Sequence, residues 1–95
     1  MELSEEIITV LSALQANLRM IGSANDAEDH GYLYEAERIR RESRITIRDM
    51  VNENKFLLDL FPTLEQELDS ERLLLFSWAD LCRLIDEKMQ ESTDE

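Results

Sequence analysis

The 95-residue sequence predicts an all-α fold, a small helical bundle of three main helices plus a short apolar helical element, expected to be dimeric. Apolar residues recur at three- and four-residue spacings along most of the chain, as they do on one side of a helix. Two Gly and one Pro leave few places for the turns that a β fold needs. Hydrophobic residues make up 43% of the chain, too many for disorder and enough to close one core. Residues 1–91 are therefore expected to form a single helical domain, with 92–95 a disordered acidic tail.

Leu3, Ile7, Leu11, Leu14, Leu18 and Ile21, with Val10 beside them, trace the apolar stripe of the first helix. Ser4 suits its N-cap, Leu3 and Ile8 a hydrophobic staple around it, and Glu5 and Glu6 the positive end of its dipole. Gly22 offers a stop. The polar stretch Ser23 to Gly31 then reads as a connection.

A second helix over roughly residues 30–53 follows from Tyr32, Ala36, Ile39, Ser43, Ile47 and Met50, with Leu33 and Val51 on its flank. Phe56 to Phe61, ahead of Pro62, reads as one or two helical turns that plug the bundle's end. Thr63 with Gln66 fits a capping box. Leu64, Leu68, Leu75, Trp78, Cys82, Ile85 and Met89 share the next stripe, widened by Leu74 and Leu81. Glu71 interrupts that stripe, so residues 63–91 form either one long helix or a short one and a long one, capped near Asp69 or Ser70.

Charge is uneven along the chain. The formal net charge is −12, yet residues 38–48 carry +4, five Arg against Glu42. Arg40, Arg44 and Arg48 stack at intervals of four, which costs a few tenths of a kcal/mol per pair unless something acidic answers them. Their structural role would be interhelical pairing with acidic residues. Their functional role would be contact with an anion or an acidic partner, for which the arginine fork is suited.

At about 100° per residue, Tyr34 and Ile45 fall opposite the core stripe of the second helix, and Leu73 and Leu84 opposite that of the last, with Phe76 beside them. These five are the predicted partner-binding residues, since a lone bundle leaves such side chains in water. The expected function is accordingly a non-enzymatic protein-binding module, an adaptor, chaperone or inhibitor, with an apolar helix strip as anchor and an acidic surface for steering toward a basic protein. A homodimer is expected on the same grounds. The first alternative is a nucleic-acid mimic of phage or plasmid type that blocks a DNA-binding protein.

The second alternative is calcium binding. Counting Asp26 as the first position, Glu28, His30, Gly31, Leu33 and Glu37 fall at three, five, six, eight and twelve, which resembles an EF-hand loop between two helices. The match is partial: His30 replaces an oxygen donor, Glu28 is longer than the preferred Asp or Asn, and no second loop pairs with it. Asp26, Glu28 and Glu37 are thus weak metal candidates, and no cofactor is expected. One His and one Cys, far apart, make neither a zinc site nor a thiol–imidazole pair, so an enzyme is the least expected class. Net acidity disfavours direct nucleic-acid binding. The opening MELSEE lacks the basic and apolar regions of a signal sequence, and no apolar run approaches membrane-spanning length, so no membrane association and a cytoplasmic location are expected. The unpaired Cys82 agrees with a reducing compartment.

Overall fold

The computed structural model describes the backbone of residues 4–69 and 71–93 and the side chains of residues 4–69 and 78–90. Among the described residues the chain forms five helices and no strand: α1 (Glu5–Asp29), α2 (Leu33–Glu53), α3 (Phe56–Leu60), α4 (Leu64–Asp69) and α5 (Glu71–Thr93).

α1 starts where its cap predicts. The Ser4 hydroxyl accepts a hydrogen bond from the Ile7 N–H at 3.3 Å, while Glu5 and Glu6 occupy the first turn. Leu3, the outer half of the proposed staple, lies outside the described residues. Leu11, Leu14, Leu18 and Ile21 are buried as expected, and Gln15 is buried with them.

Gly22 does not end α1. The helix continues for two more turns, and the expected connection over residues 23–31 is mostly helical. The actual stop is Gly31, with φ +89. The Tyr32 N–H donates to the Ala27 carbonyl at 2.9 Å and the Gly31 N–H to the Glu28 carbonyl at 3.0 Å, a Schellman closure that uses two of the helix's orphan acceptors. A left-handed residue is required there, and glycine adopts it without a Cβ penalty.

Contrary to the expectation that no apolar run approaches spanning length, α1 holds an 18-residue window of mean hydropathy 1.2. Within it Leu11, Leu14, Leu18 and Ile21 are buried along one face, and Gln15, Asn17 and Arg19 interrupt the run.

In α2, Ala36, Ser43, Ile47 and Val51 are buried, with Ile39 and Met50 half-buried. Tyr32 and Leu33, expected on and beside the core stripe, are instead 64% and 61% exposed. α1 ends at Asp29, so no facing helix reaches them. α3 contributes Leu57, and Phe61 follows it into the core, which is the expected apolar plug. The segment 63–91 resolves into two helices. α4 buries Leu64 and Leu68, and α5 begins at Glu71, the residue that breaks the stripe. α5 runs to Thr93, so two residues of the expected disordered tail, Ser92 and Thr93, are helical.

One apolar cluster joins all five helices, from Leu11 through Ile47, Leu57 and Leu64 to Ile85. α1 lies between α2 and α5 and runs antiparallel to both, giving an elongated shape of 45 × 24 × 18 Å.

Candidate functional site

The arginine row is turned onto the protein itself. Arg40 holds the Asn25 carboxamide oxygen of α1 through Nε at 3.2 Å and Nη2 at 2.6 Å, and its Nη2 also meets the Glu28 carboxylate. This is the interhelical pairing that the charge pattern calls for. Arg44 and Arg48 follow a different rule. Both donate through Nη2 to the Leu68 carbonyl, at 2.7 and 3.0 Å, near the C-terminus of α4, and Arg48 lies 3.6 Å from Asp69. Two cations thus satisfy an orphan acceptor at the negative end of a short helix. On the outer side of α2, Arg38 donates to Glu35 at 2.9 Å and lies 3.6 Å from Glu42. The Glu35 hydrogen bond raises its already high pKa. A shallow groove between the end of α2 and α4 sets Arg48 and Lys55 against Glu65 and Asp69. Its charges oppose one another and favour no ion of either sign.

The EF-hand resemblance does not survive folding. Asp26 and Glu28 sit in the last turn of α1 and Glu37 in the second turn of α2, so the twelve-residue loop is replaced by a three-residue turn. Glu28 is engaged by Arg40. Among the described residues no group of three or more His, Cys, Asp or Glu side chains is placed to hold a metal. His30 Nδ1 instead donates to the Asp26 carbonyl at 2.8 Å, closing the end of α1.

Cys82 is buried beside Gln15, while His30 lies fifteen residues further along α1, about 22 Å away by helical rise. The two cannot meet. Burial pushes the Cys82 thiol pKa up, so it behaves as a small hydrophobe rather than a nucleophile. Gln15, which sequence reasoning passed over, organises this seam. Its Nε2 donates to the Cys82 carbonyl at 3.0 Å and to Asp86 Oδ1 at 2.8 Å, and the Cys82 thiol faces the Gln15 carbonyl at 3.8 Å. The signal was there, since Gln15 stands four after Leu11 and three before Leu18.

Of the five predicted partner-binding residues, three have described side chains and all three face outward. Tyr34 is 78%, Ile45 56% and Leu84 40% exposed. The side chains of Leu73 and Phe76 lie outside the described residues. Tyr34 and Ile45 share one face of α2 but stand three turns apart, about 16 Å, with Arg38 and Arg41 between them. On α2, therefore, Tyr34 and Ile45 are two apolar anchors separated by charge.

A denser apolar group joins the outward-facing Tyr34 to Tyr32 and Leu33, which sequence reasoning placed on and beside the core stripe. Tyr32, Leu33 and Tyr34 are consecutive and exposed at the turn that joins α1 to α2. Around them Asp26, Glu28, Asp29, Glu35 and Glu37 are all exposed. No Lys or Arg occurs between residues 26 and 37. No family model, curated protein or solved structure matches this chain.

Proposed function

We propose that the protein acts by binding another protein, without enzymatic chemistry of its own, as an adaptor, chaperone or inhibitor. What carries this is the set of large apolar side chains left outside a core that has already closed: Tyr34 and Ile45 on α2, Leu84 on α5 and Tyr32 and Leu33 at the turn. Single exposed leucines are ordinary at protein surfaces, but consecutive aromatic and aliphatic groups in a chain where 34% of residues are charged suit burial by a partner. With a net charge of −12 the surface attracts a basic protein and repels phosphates, which sets the on-rate and the choice of partner.

A second copy is part of the same proposal. Thr9, Ala13, Ala16, Met20 and Ser23 are exposed, uncharged and lie within an arc of about 80° on α1, where two acidic copies repel each other least.

The test compares the natural chain with a variant that removes all five exposed anchors, Tyr32→Ser/Leu33→Gln/Tyr34→Gln/Ile45→Gln/Leu84→Gln, in capture from a host extract at low and high salt and in sedimentation velocity at high protein concentration. Partners retained at high salt by the natural chain and lost by the variant support apolar anchoring. Partners lost from both on raising salt favour the mimic of a nucleic acid instead. Identical capture by both proteins, together with a monomer at every concentration, overturns the proposal.

A further inference from the structure

We infer that the α1–α2 turn is the docking element itself, and that its partner is an apolar strip flanked by lysine and arginine on another protein. The inference rests on the protein-binding proposal above and gives that binding a place and a chemistry.

At residues 32–34 the sequence departs from what local stability favours. Tyr32 occupies the N-cap of α2 and makes no side-chain capping bond, where Ser, Thr, Asp or Asn would satisfy an amide. Leu33 and Tyr34 follow in the first turn, both facing water. Among the described residues no capping bond or burial offsets these three choices, and residues that break a local rule without a structural return point to function.

The backbone beneath them is held firmly. Gly31 at φ +89, the paired bonds from Tyr32 to Ala27 and from Gly31 to Glu28, and the bond from the Ala36 N–H to the Tyr32 carbonyl at 3.0 Å fix the backbone from which all three side chains leave. A preorganised aromatic anchor loses little freedom on binding, which is why tyrosine is enriched at binding hot spots.

Charge selects the partner. Five carboxylates frame the tip; Arg38 and Arg40 engage Glu35 and Glu28, and Asp26, Asp29 and Glu37 have no cation partner among the described residues. A second copy of this acidic chain would meet like charge there. A basic surface with an apolar centre would bury the three side chains and match the ring around them.

The experiment titrates an 18-residue amphipathic helical peptide of Leu and Lys into the isotope-labelled full chain, following backbone amide shifts and affinity at two salt concentrations. Three proteins are compared: the natural chain, the tip variant Tyr32→Ser/Leu33→Gln/Tyr34→Gln, and the outer-face variant Ile45→Gln/Leu84→Gln. The expected result is amide shifts centred on residues 30–36 and an affinity at least tenfold weaker in the tip variant. The outer-face variant should change affinity less than twofold. The tip variant should also melt no lower than the natural chain, because serine caps α2 better than tyrosine. Weakening by the outer-face variant alone overturns the tip assignment and leaves the protein-binding proposal standing. Equal affinity in all three proteins overturns both.

Discussion

The indole of Trp78 occupies the space in which a side chain on residue 22 would begin: a Cβ placed on Gly22 would lie 2.5 Å from Trp78 Cζ2 and 2.9 Å from Cε2. The glycine that reads as a helix stop is a slot for an aromatic ring from α5. Glycine inside a helix costs about 1 kcal/mol relative to alanine, and here the close approach of α1 and α5 offsets it.

This contact makes Gly22→Ala change sign with its surroundings. In the natural chain it should destabilise by about 1–2 kcal/mol through overpacking against the indole, net of the helix-propensity gain. In a Trp78→Ala background it should stabilise by about 1 kcal/mol. Urea unfolding of the four proteins decides the matter, and stabilisation in both backgrounds would refute the slot.

The polar seam between α1 and α5 should show as coupling. In a double-mutant cycle of Gln15→Leu with Asp86→Ala, the interaction energy is expected near 1 kcal/mol, typical of a hydrogen bond to a charged group at a half-wet site. Additive effects would mean that the 2.8 Å contact contributes nothing measurable.

Cys82 gives the fold a dependence on alkaline pH. Its thiol pKa is raised above the usual 9.0 by burial, so in the relevant range the unfolded chain gives up its thiol proton more readily than the folded one. The associated stability is complete below pH 9.0 and is lost as pH rises through the folded value. The difference in stability between the natural chain and Cys82→Ala should therefore shrink above pH 9.0. Iodoacetamide should modify the thiol slowly until urea is added.

Arg44 should outweigh Arg48. Both donate to the Leu68 carbonyl, but Arg44 is partly buried, whereas the Arg48 side chain is 52% exposed. Arg44→Met is expected to cost about 1.5–3 kcal/mol and Arg48→Met less than about 1 kcal/mol, measured by thermal or urea unfolding. Equal costs would show that exposure does not rank the pair.

Gly31→Ala should cost about 1–2 kcal/mol, the penalty for a left-handed residue with a Cβ. Nothing lies near the site, so the loss is conformational and Gly31→Asn should recover part of it. Because Asp26 and Glu37 lie on two different helices, millimolar Ca²⁺ should leave the melting temperature unchanged; a clear rise would revive the calcium reading.

Stripe residues such as Leu11, Leu18, Ile47, Leu64 and Ile85 were legible in the sequence, because helical periodicity depends only on burial. The Ser4 cap was legible for the same local reason, whereas Glu71 interrupted its stripe without choosing between one helix and two. Gly22 and Tyr32 were not. Whether a glycine ends a helix or admits a neighbour depends on what packs against it, and here that is Trp78, fifty-six residues away. Whether Tyr32 is core depends on where α1 stops, which Gly31 decides. The arginine row announced that something acidic must answer it, and Glu28 does. It could not announce that a backbone carbonyl on α4 would answer the other two. Periodicity likewise placed Tyr34, Ile45 and Leu84 outside without revealing their spacing around the molecule.

α2 and α5 each rest on α1, with little direct packing between them among the described residues. The chain is therefore lopsided in what it can lose. Stripped of residues 1–29, the remainder keeps two amphipathic rods linked through the short α3 and α4 but loses the helix on which both rest, and it should regain helicity when that segment is supplied in trans as a peptide. Stripped of α2 instead, α1 keeps the α5 contact at Gln15 and Gly22, so the first rod works as the template for the whole molecule.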